Sequence, residues 1–238
     1  FFAINLSANL SEDEQIFQNA SKSFLQNDFQ KTQLYLEIIL SNYPNSTKLK
    51  ETILLLEEVY LRSNQNELFI TLFENHGDET DYLQTFWVGQ AHYNLGNFEK
   101  AKSIFRTLEK VENYHLRVAL MKALITVNQG NENINTLLQL ETQFPKNNVY
   151  FSQLMLSIAR FYQLNNNFEN AKNYYEKYLI LEDKFNTHIY GEVAQMHLYF
   201  DKPIILANLH NNHHYRGIKF AKAFILDQKY RELNNDEE

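Results

Sequence analysis

The chain has 238 residues, of which 44% are hydrophobic and 21% are charged, and this is the composition of a protein that buries a core. The formal net charge is −7 and no cluster of Lys or Arg occurs, which argues against DNA or RNA as a partner. Only six Gly, three Pro and no Cys are present, so the sequence favours long helices joined by short Asn-rich turns and excludes disulfides and thiolate metal sites.

The chain opens with an apolar segment, Phe1 to Ala8, that closes on small residues. We expect residues 1–10 to be a signal-peptide remnant, with Asn9 as a plausible mature start. The alternative is an apolar arm that folds onto the first helix. No later stretch reaches the roughly 18 continuous apolar residues that a membrane span requires, so the sequence predicts no transmembrane segment and leaves peripheral association with a membrane open.

The first helix is predicted to begin at Ser11-Glu12-Asp13-Glu14, which has the sequence of a capping box. From there the chain contains six segments with one layout, in which a helix with a set position midway is followed by a short turn and a second helix. Five of the six mid-helix positions hold a small residue, and successive positions are 33 to 36 residues apart. These positions are Ala20, Leu56, Gly89, Ala123, Ala159 and Ala194.

The third copy shows the layout most clearly. Gly89 lies where two helices of a pair are expected to touch, because a glycine inside a helix costs up to about 1 kcal/mol and indicates close approach. Gly96 opens the turn, and Phe98, Ala101 and Phe105 form the inward stripe of the second helix.

The other copies follow this pattern with different fidelity. The fifth and first copies have equivalent residues. The second copy has Leu56, Leu68 and Leu72 at these places. The fourth copy carries Gly130 in its turn and departs from the pattern at Glu132 and Asn135. In the sixth, Pro203 lies at the start of the second helix, where proline is tolerated. The equivalents in the first and fifth copies are Asn27, Phe29, Thr32 and Leu36, and Asn166, Phe168, Ala171 and Tyr175.

The residues of the third copy, from Phe86 to Phe105, resemble the tetratricopeptide (TPR) repeat, whose period is about 34 residues. The resemblance implies an all-α fold, a TPR-like right-handed α-solenoid of about six helix pairs over residues 11–233. A C-terminal capping helix is predicted from Tyr215 to Leu233, and residues 234–238 are expected to begin a polar linker.

In TPR arrays the first helix of each pair lines a concave surface, so the resemblance implies a groove that binds a segment of a protein partner. For several of the predicted groove residues, above all Phe86, Leu120 and Leu156, packing in the core is an equal alternative. Charge reversal at Arg117 and Arg160 is expected to weaken partner binding without unfolding the protein. The predicted groove residues are Phe86, Gln90, Tyr93, Asn94, Arg117, Leu120, Leu124, Leu156, Arg160 and Gln163.

The first repeat ends in Tyr43-Pro44-Asn45-Ser46, and this sequence resembles repeat ends in bacterial cell-envelope TPR proteins such as BamD and the Tol–Pal coordinator. The resemblance implies a periplasmic or outer-membrane-associated protein that binds another envelope protein, in outer-membrane or cell-wall biogenesis or division. A cytoplasmic location is the alternative. A second functional hypothesis is a self-associating spacer that tethers other modules.

Catalysis and metal binding have little support in the sequence. No nucleophile elbow or phosphate-binding Gly loop occurs, so we expect no enzymatic activity and no cofactor. His210, His213 and His214 are weak candidates for a Zn²⁺ or Ni²⁺ site, with a solvated polar turn as the main alternative.

Overall fold

The computed structural model describes residues 10–129, 134–181 and 189–193. Throughout these ranges the regular structure is helical, without a strand, so the predicted all-α class is confirmed. Residues 189–193 are also helical, whereas the remainder of the predicted sixth pair, with Ala194 and Pro203, and the capping helix lie outside the described residues. The ten helices before them are α1 (Glu12–Leu25), α2 (Phe29–Asn42), α3 (Leu49–Arg62), α4 (Asn66–His76), α5 (Tyr82–Asn94), α6 (Phe98–Leu108), α7 (His115–Asn128), α8 (Asn135–Gln143), α9 (Val149–Leu164) and α10 (Phe168–Leu181).

The chain divides into two compact units, one up to Leu108 and one from Glu109 onward. In the first unit, α1 to α6 form three helix pairs, and each helix packs against the next helix in the chain. In the second unit, α7 to α10 form two pairs that pack in the same successive manner. Each unit therefore has the helical-repeat architecture that the sequence predicts, while a single continuous domain over residues 11–233 stays a prediction.

The described turns inside the first, second, third and fifth helix pairs use one repeated device. Asn27, Asn64, Gly96 and Asn166 each have a positive φ between 56° and 75°, a region that Gly adopts freely and Asn tolerates better than most residues. In all four turns the amide of the following residue bonds back to a carbonyl five positions earlier, at 2.8 to 3.0 Å. These are Schellman motifs, which end the first helix and satisfy its last carbonyls. The Asn-rich turns and the positive φ at Gly96 are thus confirmed, and Gly130 lies outside the described residues.

The mid-helix positions lie in the core of each unit. Ala20, Leu56 and Ala159 are completely buried, and Ala123 is nearly so. A Cβ added at Gly89 would lie 2.7 Å from Phe105 Cε1, so the ring of the second helix occupies the space that a side chain would need. The predicted close approach at Gly89 is therefore confirmed, and the contacting group is an aromatic ring.

The inward stripe of the second helix is confirmed in the first, third and fifth copies. In each of these copies the two stripe residues that follow the leading Phe are completely buried. In the second copy the stripe is kept in part, since Leu72 is buried as predicted, whereas Leu68 is 43% exposed and Phe69 is buried in its place. Relative to Leu56, α4 begins one residue later, at Asn66, than α2, α6 and α10 do relative to their own mid-helix residues. One residue is a rotation of about 100° around a helix, so the prediction for Leu68 was wrong. The buried pairs are Thr32 and Leu36, Ala101 and Phe105, and Ala171 and Tyr175.

In the fourth copy the second helix, α8, is also displaced. It begins at Asn135 and buries Leu137 and Leu140, although the expected aromatic and small residues are missing from its sequence. Glu132 lies outside the described residues. Two buried leucines thus replace the usual stripe and keep the helix pair packed.

The start of the first repeat is held by polar contacts. Ser11 is the N-cap of α1, and its amide donates to Glu14 Oε2 at 3.1 Å, as the predicted capping box requires. The Ser46 hydroxyl bonds to the Asp13 carboxylate, and a hydrogen bond to the Glu12 carboxylate raises the pKa of Tyr43. The Tyr43–Ser46 segment therefore fastens the turn after α2 to the first turn of α1.

Candidate functional site

The largest described cleft of the first unit lies between α3 and α5, the first helices of the second and third pairs. It has a volume of about 530 Å³ and is open to solvent. Its wall combines apolar side chains, amides and carboxylates, together with Asn66 and Phe69 of α4. The residues contributed by α3 and α5 and their flanks are Leu54, Glu57, Glu58, Leu61, Arg62, Asn64, Asp81, Leu83, Gln84, Trp87, Gln90, Ala91 and Asn94.

A second cleft, of about 430 Å³, lies between α1 and α3 and shares Leu54 and Glu58 with the first. The two clefts therefore adjoin, and together they make up a depression along α1, α3 and α5 that Leu54 and Glu58 divide. We call this depression the first-helix groove. Its α1 wall is mostly aromatic and apolar and consists of Phe17, Ser21, Phe24 and Leu25.

The first-helix groove exposes apolar surface. Leu54 is 49% exposed and Leu83 is 46% exposed. Trp87, which is the single Trp of the chain, is half-buried in the same wall. Exposed apolar residues gathered in a concave surface are typical of a site that binds another molecule.

Two of the four residues predicted in the third repeat line this groove, namely Gln90 and Asn94. The Asn94 side chain also donates to Asn66 Oδ1 at 3.2 Å, which ties the end of α5 to the start of α4. Tyr93 is half-buried, and its ring lies 5.9 Å from the ring of Phe98, so it packs within its own helix pair. Phe86 is completely buried against Phe105, which corrects its assignment to the groove.

In the second unit the apolar candidates belong mainly to the core. Leu120 is completely buried and Leu124 is 9% exposed, so neither side chain can present a surface to a partner, and their assignment to the groove is corrected. Leu156 is half-buried. Residues that face the groove and residues that pack against the neighbouring helix have the same periodicity on a first helix. Leu120 and Leu124 belong to the packing residues.

The polar candidates of the second unit are held by their own unit. The guanidinium carbon of Arg117 lies 4.6 Å from the ring centre of Tyr114 and 4.7 Å from that of Tyr150, so the cation contacts two rings. Arg160 donates to both carboxylate oxygens of Glu192, at 3.2 and 2.9 Å. Both cations therefore already have partners within the unit.

Gln163 belongs to the same network as Arg160. The Tyr175 hydroxyl lies 2.6 Å from Gln163 Oε1 and 2.6 Å from Glu192 Oε2, and burial together with the bond to Glu192 raises the pKa of Tyr175. Reversing the charge of Arg160 would place two carboxylates side by side against a buried Tyr. We therefore expect this change to destabilise the second unit, contrary to the expectation from the sequence.

Sequence reasoning missed Glu57, the most unusual residue of the groove. Its side chain is 6% exposed, its Oε2 accepts from Gln84 Nε2 at 3.2 Å, and its Oε1 has no hydrogen-bond partner among the described residues. Burial, and secondarily the charge of Asp81, raise the pKa of Glu57 to about 7, even though the bond from Gln84 lowers it. Nothing in the sequence distinguishes Glu57 from neighbouring Glu58, since only the packing of α3 decides which carboxylate is buried.

The helix pairs can now be compared with known proteins. A family model of the tetratricopeptide repeat matches residues 86–115 and residues 152–183. These segments contain most of α5 and α6 and of α9 and α10, which are the third and fifth copies. The third and fifth helix pairs match the tetratricopeptide repeat.

The TPR repeats also account for the similarities to individual proteins. The mouse Tetratricopeptide repeat protein 8 is 24% identical over 168 residues, a match that covers 69% of this chain but only 31% of that protein. The chain thus spans less than a third of the length of that relative.

Two solved structures support the fold at the level of architecture. The APC/C hetero-tetramer Cut9–Hcn1 gives a TM-score of 0.56 at 12% identity and covers 90% of this chain and 46% of the matched one. A thermophilic TPR protein of Thermus thermophilus gives 0.53 at 16% identity and covers 78% and 99%. At such identities the likeness shows the helical-repeat fold alone.

The remaining predictions concern metals and membranes. His210, His213 and His214 lie outside the described residues, and within those residues no three His, Asp or Glu side chains gather as metal ligands. No helix in the described part of the chain combines the length and the hydropathy that crossing a membrane requires.

Proposed function

We propose that this chain is a non-enzymatic protein–protein interaction scaffold, and that the first-helix groove of its first unit binds a segment of a partner protein. The observation that carries the proposal is the exposed apolar surface of Leu54, Leu83 and Trp87 inside a concave wall that also offers amides from Gln84 and Gln90. Apolar anchors surrounded by polar groups are the usual composition of a peptide-binding groove.

Two further features support this assignment. TPR repeats expose the first helix of each pair along one side of the stack, and the groove is built mainly from such first helices. The cations of the second unit, by contrast, are engaged with Tyr114, Tyr150 and Glu192. We therefore place the binding surface in the first unit.

A photo-crosslinking experiment tests the proposal. A benzophenone amino acid replaces Leu54 in the groove or Leu68 on α4, and the protein is irradiated in its native cells. Leu68 is a matched control because it is a leucine of similar exposure, 43% against 49%, that does not line either cleft of the groove. We expect a discrete adduct from position 54 and none from position 68.

The partner found in that adduct is then purified and its affinity measured by calorimetry. Leu54→Asp should weaken binding at least tenfold, because it places a charge where an apolar anchor docks, whereas Leu68→Asp should leave the affinity unchanged. Equal effects of the two substitutions would refute the groove as the site. An adduct that contains two copies of this chain would favour the self-associating spacer.

We further propose that the partner is an envelope protein and that the scaffold acts in the periplasm or at the outer membrane. The support for this part is the resemblance of Tyr43–Ser46 to repeat ends of envelope TPR proteins. Cell fractionation with an antibody against the chain tests it, and recovery in the cytoplasmic fraction would contradict it.

A further inference from the structure

The floor of the first-helix groove contains a buried carboxylate with one oxygen unused. Glu57 is 94% buried, and while Gln84 satisfies Oε2, the described protein residues supply no donor to Oε1. A buried oxygen without a donor costs free energy, and the cost is larger for a charged group. Glu57 lines the open cleft between α3 and α5, so a donor in the cleft lies beside this carboxylate and reaches Oε1 when the side chain rotates toward it.

The charges around Glu57 define which kind of donor fits. Among the described side chains that line this cleft, Arg62 is the only cation, and it is bonded to Glu58 at 2.5 and 2.9 Å. Asp81 is acidic as well, and its Oδ1 caps α5 through the amide of Leu83 at 2.8 Å. The charges of Glu57 and Asp81 are therefore not balanced within the cleft, and the complementary ligand is a cation.

The walls of the cleft suit the shape of a cationic side chain. Leu54, Leu61 and Leu83 provide apolar surface for the methylene stem of an Arg or Lys. Trp87 adds an aromatic wall, and Trp is the aromatic residue that attracts cations most strongly. An acidic floor below apolar and aromatic walls thus matches a long side chain with a positive head group.

We propose that the cleft between α3 and α5 receives one Arg or Lys side chain of the partner segment, with its head group at Glu57 and the apolar residues beside it over Leu54 and Leu83. This inference rests on the proposed function and specifies its partner, which is a basic amphipathic segment.

Selection of random 12-residue peptides displayed on phage against the full chain tests this inference. Peptides that lose binding to Leu54→Asp but keep binding to Leu68→Asp are the groove binders. We expect them to share an Arg or Lys flanked by apolar residues. Such a peptide should lose at least tenfold in affinity when its Arg is replaced by neutral citrulline or its Lys by norleucine.

The matched protein variants are Glu57→Gln and Glu67→Gln. At pH 8, above the pKa of about 7 of Glu57, both remove one negative charge, but Glu67 is exposed on α4 and lies outside the groove. Glu57→Gln should weaken binding of the cationic peptide at least tenfold. It should hardly change binding of the neutral peptide, because the substitution in the protein and the replacement in the peptide remove the same ion pair. Glu67→Gln should change neither affinity by more than about twofold, the effect of an exposed charge.

Three outcomes are distinguishable. Groove binders that need both the cation and Glu57 support the inference. If the groove binders lack a cation, or bind Glu57→Gln as tightly as they bind the unchanged chain, the inference is overturned and the proposed function still stands. Absence of any peptide sensitive to Leu54→Asp overturns the inference and the groove assignment together.

Discussion

Replacing Glu57 by Gln should stabilise the protein at alkaline pH and leave its stability at acidic pH unchanged. Burial raises the pKa of this carboxyl from about 4.5 to about 7, so the folded state retains a proton that the unfolded chain releases. The resulting stabilisation is complete below pH 4.5 and is lost as the pH rises to about 7. The difference between the pKa values of the unfolded and folded states corresponds to a stabilisation of roughly 3 kcal/mol at most, at about 1.4 kcal/mol per pKa unit.

Gln keeps the shape of the protonated carboxyl and cannot ionise. At pH 5 the free energies of unfolding of the two proteins should therefore be similar, and at pH 8 the variant should be more stable by about 2 to 3 kcal/mol. The other charged side chains of the cleft, Glu58, Arg62 and Asp81, are the same in both proteins.

Urea unfolding at pH 5, 6.5 and 8 measures this difference. Fluorescence of Trp87, the single Trp, reports on the unit that contains Glu57, and Glu67→Gln controls for the loss of one negative charge at an exposed position. A stability difference that does not change with pH, or a Gln variant that is less stable at pH 8, would refute the assignment of a buried, proton-retaining carboxyl.

Substitutions at three further positions test the repeat packing, each by urea unfolding. Gly96→Ala should lower the free energy of unfolding by about 1 kcal/mol, because φ is +75° and no atom lies within 4 Å of the new Cβ. Gly96→Asn should lower it by less, and equal losses would contradict the backbone explanation. Gly89→Val should cost about 2 kcal/mol or more, since its Cβ alone meets the buried Phe105 ring at 2.7 Å, and a neutral effect would show that the ring can move away. Arg160→Glu should destabilise more than Arg160→Gln, because only the former repels Glu192, and the reverse order would contradict the ion pair.

The repeat architecture was predictable from local signals in the chain. The capping box at Ser11, the turn glycine at Gly96 and the small residue at Gly89 each impose a conformation or a contact distance that few other residues allow. The spacing of 33 to 36 residues between successive mid-helix positions then indicates where each pair begins. Such features depend on neighbours within one helix pair, which is why sequence reasoning recovered them.

The register of the weak copies and the identity of the groove residues were less accessible. Leu68 and Phe69 are both apolar, so the sequence could not show that α4 starts one residue late and buries the second of them. Phe86 and Leu120 have the periodicity of a groove residue and of a core residue alike.

Other features of the candidate site depend on residues far apart in the chain. Arg160 was predicted to face a partner, whereas the structure bonds it to Glu192, which is 32 residues away. Likewise, the Glu57 carboxylate accepts a hydrogen bond from Gln84 of α5, which is 27 residues away. Information of this kind resides in the tertiary structure and leaves no local mark on the sequence.

The central claim is that a partner segment lies along the first helices of the first unit. Hydrogen–deuterium exchange of the chain, with and without a saturating groove-binding peptide from the phage selection, tests it most directly. We predict slower exchange in α3 and α5, with little change in α2, α4 and α6. Slower exchange confined to α2, α4 and α6, or to the unit after Leu108, would contradict it.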